Sequence, residues 1–217
     1  MTRGDRRQGR TGWPGTIRER LGDRLRARWM EIILHAALTP HPPEAFGAFG
    51  RSIIVPPARI SFPEHIFVGD GVVIHEGVWL SIEPAFDDVT PRLEIGDGVR
   101  MGRFCQISCV GEIVIERDVI ASDRVQIGDS FHDYRDVTLP ATRQPMVRPR
   151  PVRIGAGALI GAGAIVLPGS TIGPGAYIAD GAVARGVVPA GAVVAGNPGV
   201  VVDALRPAGG GQSPALP

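Results

Sequence analysis

Aliphatic residues recur every six positions in the second half of this 217-residue sequence. In residues 154–189 the repeated positions are Ile154, Ile160, Val166, Ile172, Ile178 and Ala184. A small residue stands four positions after each of the first five, at Ala158, Ala164, Ser170, Ala176 and Ala182, whereas Val188 is bulkier. An α-helix repeats every 3.6 residues and a half-buried strand every two, so neither explains the period. A six-residue unit with a turn predicts two short strands joined by a corner, and three such units close one triangular coil.

The same register runs through the middle of the chain. It predicts coils at 68–85, 95–112, 115–132, 154–171 and 172–189, with a partial coil before them that includes Phe62. Two segments, 86–92 and 133–151, break the register, and the step from Ile107 to Ile115 is two residues too long. We expect the aliphatic side chains to stack inside the coils and the glycines to occupy left-handed corner positions.

Composition supports a folded repeat protein and excludes several function classes. Thirty glycines and twenty prolines suit a chain with many turns, and 44% hydrophobic residues argue against disorder. A net charge of +1 gives no electrostatic case for nucleic acid. All basic residues are arginine, which excludes lysine chemistry, and Cys105 and Cys109 form no disulfide framework. With no apolar run near the ~20 residues of a membrane span, the expected location is the cytoplasm.

The two ends differ from the repeat region. Residues 1–50 are predicted to form a basic tail, an amphipathic α-helix at 15–38 and a linker, before a repeat domain at 51–205 and a disordered tail at 206–217. Residues 1–28 hold nine arginines against three acidic residues. The helix could cap the first coil, or it could bind an anionic membrane surface at the inner membrane face.

One histidine has a setting suited to catalysis. His132 ends the hexapeptide that starts at Ile127 and directly precedes the long loop at 133–151. Histidine can deprotonate a hydroxyl near neutral pH, and a carboxylate on its other ring nitrogen would fix the tautomer. Asp133, Asp129 and Glu112 are candidates for that carboxylate, and the sequence does not choose between them.

Residues 60–200 resemble the left-handed parallel β-helix of hexapeptide-repeat acyltransferases, a family that includes galactoside and maltose O-acetyltransferases and polysaccharide-biosynthesis enzymes. The segment Ala195-Gly196-Asn197-Pro198-Gly199 matches the turn that closes their last coil. The resemblance supplies the handedness and implies an all-β fold with His132 as the catalytic base. It also implies a homotrimer that binds acetyl-CoA outside the late coils, between subunits.

The resemblance also implies a set of cofactor-binding residues, namely Gly161, Ala162, Asp180, Arg185 and Arg143. In the hexapeptide register, the galactoside enzyme's sugar-binding aspartate and asparagine fall on Val110 and Gly102, so a different acceptor is expected. Its tryptophan and serine near the thioester fall on Leu159 and Ala162, which leaves only backbone N–H groups near Gly161 and Ala162 to stabilise an oxyanion. Its phosphate-binding arginine falls on Val200, and Arg185 or the arginines of the long loop could replace it.

The function that this resemblance implies is an acetyl-CoA-dependent O-acetyltransferase acting on a sugar or glycoconjugate. One alternative is N-acetylation of an amino sugar or xenobiotic amine. A zinc carbonic anhydrase on the same scaffold would need a His-x4-His ligand pair, which the sequence lacks. A non-catalytic solenoid scaffold is the remaining alternative.

Overall fold

The computed structural model describes residues 41–205, and strands dominate this part of the chain. The predicted helix at 15–38 and both terminal tails lie outside the described residues, so their capping and membrane roles stay predictions. Three 3₁₀ turns span Pro43–Ala45, Pro63–His65 and Ala141–Arg143. The first strand, at Ala48–Phe49, precedes the predicted domain boundary at residue 51.

Most of the strands are only two to four residues long. In chain order they are β1 (Ala48–Phe49), β2 (Ile53–Ile54), β3 (Arg59–Ile60), β4 (Ile66–Val68), β5 (Val73–Ile74), β6 (Trp79–Ile82), β7 (Arg92–Ile95), β8 (Arg100–Met101), β9 (Gln106–Cys109), β10 (Glu112–Ile115), β11 (Ile120–Ala121), β12 (Gln126–Gly128), β13 (Val152–Ile154), β14 (Leu159–Ile160), β15 (Ile165–Val166), β16 (Thr171–Ile172), β17 (Tyr177–Ile178), β18 (Val183–Ala184), β19 (Val187–Val188), β20 (Ala192–Ala195) and β21 (Val200–Ala204).

These strands form three sheets, and successive strands of the chain enter the three sheets in turn. The first sheet has the order β1-β4-β7-β10-β13-β16-β19, the second β2-β5-β8-β11-β14-β17-β20-β21, and the third β3-β6-β9-β12-β15-β18. Neighbouring strands are parallel, except that β21 pairs antiparallel with β20. The fold is therefore the predicted left-handed parallel β-helix, in which each coil hydrogen-bonds to the coils before and after it.

The interior of the β-helix is built from the aliphatic positions that repeat in the sequence. Ile154 pairs with Ile172, Ile160 with Ile178, and Val166 with Ala184, so like positions stack from coil to coil. All the predicted aliphatic positions from Val68 to Ala184 are buried, and the small residues that follow them in 154–182 are buried too. The predicted register is confirmed, and each large side chain contributes about 1.5–3 kcal/mol of burial.

Glycine serves two purposes at the corners, and the sequence predicted only one of them. Three positions after the aliphatic residue the backbone is left-handed, as at Gly98 and Gly163. One position after the aliphatic residue, a Cβ on Gly161 would lie 2.6 Å from the backbone nitrogen of Asp180 in the next coil. Glycine is required there because the coils approach closely, and not because of its φ angle.

The partial coil before Val68 includes Phe62, as predicted. Phe62 is 48% exposed, with a φ of 48°, and does not line the interior of this coil. The first coil instead presents Phe49, Ile54 and Ile60, which pack against the core.

The final coil is shorter than a hexapeptide count predicts. Val188 was expected in the small position of its unit, but it pairs with Ile172 and thus occupies the next aliphatic position. The chain has closed this corner two residues early, which explains why the residue is bulky.

Candidate functional site

Every long irregular segment after β4 leaves the β-helix at one corner, between the third and the first sheet. We call it the loop corner, and it comprises residues 83–91, 110–111 and 129–151. The two surplus residues between Ile107 and Ile115 are therefore Val110 and Gly111. The β-helix repeat brings these three segments together although they are far apart in sequence.

His132 lies on a short antiparallel stem that begins the long loop. The Val147 N–H donates to the Phe131 carbonyl at 2.9 Å, and the Asp133 N–H donates to the Pro145 carbonyl at 3.0 Å. His132 itself forms a bridge with Met146. The Ser130 hydroxyl adds a bond to the Val147 carbonyl at 2.5 Å. The stem fixes the backbone of His132 and leaves the residue exposed.

Asp129 anchors the base of this stem. Its carboxylate oxygens accept the N–H groups of Val110 and Gly111 at 2.9 and 2.7 Å, and the residue is fully buried. Burial raises the pKa of the Asp129 carboxyl, although the two backbone hydrogen bonds oppose that rise. Asp129 therefore ties the loop to the two-residue insertion of the preceding coil, instead of orienting the imidazole.

The other predicted partners of His132 are also not in contact with it. Arg135 binds the Asp133 carboxylate, with Nε at 2.8 Å, and holds the pKa of that carboxyl far below its ordinary value. Glu112 is exposed on β10. Among residues 41–205, none of the three candidate carboxylates forms a hydrogen bond or ion pair with His132.

A groove on the outer face of the third sheet ends where the stem begins. It has a volume of about 280 Å³, and its lining residues carry no charge. Gln106 and Gln126, which are paired across β9 and β12, contribute amide groups, and Phe131 closes the loop side. Ser108 and Ser130 add hydroxyl groups, while Ile165, Leu167 and Pro168 form the apolar side. Such a surface suits an uncharged ligand with hydroxyl or amide groups.

Three of the predicted cofactor-binding residues, Gly161, Ala162 and Asp180, lie at the corner between the second and third sheets. There the Ala162 N–H donates to the Asp180 carboxylate at 2.8 Å, and the Gly161 N–H donates to the Ile178 carbonyl at 2.7 Å. Both N–H groups are thus occupied, so the predicted oxyanion role would require Asp180 to release Ala162.

The contact of Asp180 repeats along the β-helix. Asp97 accepts the Asp70 N–H and Asp123 accepts the Arg103 N–H, each at 2.8 Å. In every case the aspartate stands two positions after an aliphatic residue and bonds to the equivalent position one coil earlier. Asp180 therefore has a structural role, which its place in the repeat could have indicated.

The predicted phosphate-binding arginines are dispersed. Arg185 is exposed between β18 and β19, and Arg143 is exposed in the 3₁₀ turn of the long loop. Arg148 instead binds Asp88 in the 83–91 segment. Arg150 packs near Gly169. A Cβ added to Gly169 would lie 3.3 Å from the Cβ of Arg150.

Sequence reasoning missed several residues of this site. Gln106 and Gln126 each immediately precede an inward aliphatic residue, so the repeat does indicate that they face outward. The pairing of Asp88 with Arg148 has no local signal, because the two residues are 60 positions apart.

Residues 41–205 contain neither a helix that could span a membrane nor a cluster that could bind a metal ion. No helix in this range is long and apolar enough to cross a membrane. No three His, Cys, Asp or Glu side chains in it are grouped so that they could hold a metal ion.

The sequence and the fold of this chain are both similar to those of known hexapeptide-repeat proteins. Residues 151–186 match the family model described as bacterial transferase hexapeptide (six repeats). Residues 151–186 therefore carry hexapeptide repeats of this kind. This match covers the two regular coils after the long loop, and the resemblance expected from the sequence is confirmed.

A curated relative of this hexapeptide-repeat chain is the "Probable acetyltransferase Rv3034c" of Mycobacterium tuberculosis. It is 36% identical over 151 residues, which cover 63% of this chain and 49% of that protein. The chain thus aligns with about half the length of this relative.

Solved structures with the same fold include acyltransferases. AntD, an N-acyltransferase from Bacillus cereus in complex with dTDP and 3-hydroxybutyryl-CoA, has a TM-score of 0.63 at 20% identity, covering 75% of this chain and 85% of its own. A hexapeptide-repeat acetyltransferase from Vibrio cholerae, complexed with acetyl coenzyme A, has a TM-score of 0.54 at 21% identity, covering 85% of this chain and 89% of its own.

Proposed function

We propose that this chain is a CoA-dependent acyltransferase that moves an acetyl group from acetyl-CoA to a hydroxyl of a sugar or glycoconjugate. The observation that carries the proposal is the position of His132. It is exposed on a fixed stem, directly after two residues that line an uncharged groove. The amide and hydroxyl groups of the groove suit a neutral acceptor rich in hydroxyls.

In this proposal His132 is the general base. It takes the proton of the acceptor hydroxyl while the oxygen attacks the thioester carbonyl, and the proton then passes to the sulfur of the departing CoA. No covalent acyl-enzyme is needed. We assign no oxyanion donor, because Asp180 and Ile178 already occupy the predicted N–H groups.

The comparisons support this function without extending to the acceptor. The relative from Mycobacterium tuberculosis is named as a probable acetyltransferase, and the two structural neighbours bind CoA thioesters. We further propose a homotrimer in which one subunit supplies His132 and the next subunit binds CoA with its late coils.

A substitution of the base tests the proposal. With radiolabelled acetyl-CoA and a panel of neutral sugars, His132→Ala should lower kcat by about 10²–10⁴-fold and leave CoA affinity nearly unchanged. His75→Ala is the matched control, since His75 is a partly exposed histidine at another corner. Full activity of His132→Ala with every acceptor would overturn the assignment of the base.

The second candidate function is N-acylation of an amino sugar. The structural neighbour AntD is an N-acyltransferase, so amino sugars belong in the same acceptor panel. Hydroxylamine separates the two chemistries, because it releases label from O-acetyl esters and leaves N-acetyl amides intact. If the chain binds no CoA at all, the scaffold alternative replaces both enzymes.

A further inference from the structure

We propose that Asp88 and Arg148 form a latch that positions His132 by holding the returning strand of its stem against the 83–91 segment. The inference rests on the proposed function only where it assigns a purpose to the latch. The contact itself joins two loops that emerge from different coils of the β-helix.

The latch has three groups in contact. Arg148 Nη2 lies 2.9 and 3.1 Å from the two carboxylate oxygens of Asp88. The guanidinium carbon also lies 5.1 Å from the centroid of the Phe86 ring. A turn holds Phe86 and Asp88 together, because the Val89 N–H donates to the Phe86 carbonyl at 3.2 Å. The arginine therefore meets a charge and an aromatic ring on one short segment.

Arg148 is well placed to act on His132. The preceding residue, Val147, is hydrogen-bonded to both Ser130 and Phe131. A change in the position of Arg148 therefore shifts the two residues immediately before His132. On the other side Pro149 packs against Gly111, where a Cβ would lie 2.7 Å from the proline ring.

The latch adds an anchor to the stem at a point beyond its base. Asp129 holds the base of the stem, where its carboxylate binds the preceding coil and its carbonyl accepts the Arg150 N–H at 2.8 Å. The tip beyond this base is exposed, with Tyr134 and Val137 at 70% and 94%. Exposed ion pairs and cation–π contacts are weak individually, but a loop that opens locally needs little stabilisation to shift its population. The latch should therefore change the opening of the stem without changing the global stability of the β-helix.

Charge reversal and its rescue test the latch. Amide hydrogen exchange of the peptide covering 131–148 should accelerate about three- to tenfold in Asp88→Arg and in Arg148→Asp. The double variant Asp88→Arg/Arg148→Asp restores an ion pair of opposite polarity, so exchange should return towards the wild-type rate. In the transfer assay kcat should follow the same pattern, with KM for acetyl-CoA unchanged.

The matched control is the ion pair between Arg103 and Glu76, which is also exposed but lies away from the loop corner. Arg103→Asp should leave exchange of 131–148 at the wild-type rate. Unchanged exchange in both single latch variants, or no recovery in the double variant, would overturn the latch. Absence of acetyl transfer by the wild-type chain would reject the proposed function. The exchange experiment needs no substrate, so it would still test the latch in that case.

Discussion

Aspartates at the corners illustrate how one residue type serves different purposes in this chain. Asp97, Asp123 and Asp180 each accept a backbone N–H from the coil before, at the same position of the repeat. Asp129 accepts two such N–H groups, but it does so at the buried base of the stem that carries His132. Asp129 also stands two positions after an inward aliphatic residue, Ile127, so its repeat position is the same. It differs because the two-residue insertion of the preceding coil offers it two N–H groups instead of one.

Asp180→Ala tests whether this aspartate is only structural. Loss of the bond to Ala162 should lower the free energy of unfolding by about 0.5–1.5 kcal/mol, measured by urea titration at fixed protein concentration. Asp97→Ala removes the equivalent bond in an early coil and should cost a similar amount. A specific loss of CoA affinity in Asp180→Ala alone would restore the cofactor role predicted from the sequence.

Asp129→Asn tests the buried anchor through its pH dependence. Because burial raises the pKa of Asp129, the folded chain favours the protonated form, whose stabilising effect is complete at low pH. The stability difference between wild type and Asp129→Asn should therefore shrink as pH rises from the ordinary aspartate range through the raised pKa. Urea unfolding of both proteins at a series of pH values measures this difference in the free energy of unfolding.

Asp133→Asn provides a control of opposite sign. Arg135 lowers the pKa of Asp133, so this carboxylate stabilises the fold above the ordinary aspartate pKa and loses the effect as pH falls. Its difference from wild type should shrink towards acid pH. Parallel pH trends in the two variants would contradict the assignments.

At the scale of elements, strands of two residues are stable only because the coils stack. Each strand has too few hydrogen bonds to persist alone, and its inward side chain packs on those of two neighbouring coils. The stem of the long loop follows other rules, because it pairs antiparallel and is held by polar anchors at its base. The strands of the coils thus follow the six-residue repeat, whereas the stem that carries His132 departs from it.

Ile160→Asp and Leu159→Asp compare the two faces of one strand. Ile160 is fully buried in β14, so an aspartate there places an unpaired charge inside the β-helix and removes about 1.5–3 kcal/mol of burial. We expect loss of soluble folded protein. Leu159 is 38% exposed on the outer face, and Leu159→Asp should express and fold. Equal melting temperatures for the two variants would contradict the observed register.

At the scale of the whole molecule, the proposed trimer predicts complementation between two inactive variants. His132→Ala removes the base, and Ala162→Trp places a bulky side chain on the exposed wall of the late coils. Each pure trimer should be inactive, for different reasons. Co-refolding should create interfaces with one intact His132 and one intact Ala162, so activity should return at a fraction set by random mixing. Mixed trimers that form and stay inactive would exclude a site shared between subunits.

The six-residue period determined the coil architecture from Val68 to Ala184, because burial of one aliphatic side chain per unit imposes the same register throughout. The handedness of the coils came from the family resemblance and not from the period. The period also located the interruptions and placed His132 at the start of the long loop. Where the chain departs from the period, the sequence-based prediction was wrong, as with Val188, whose corner closes two residues early.

Only the tertiary structure decided what surrounds His132. Stacking brings Val110 and Gly111 to the Asp129 carboxylate, and it brings Asp88 to Arg148 across 60 residues of sequence. It also gives the Ala162 N–H to Asp180, which leaves that group bonded within the β-helix. These contacts depend on where successive coils place their corners. A repeating pattern of burial fixes side chains as inward or outward, but it carries no information about which irregular segments meet.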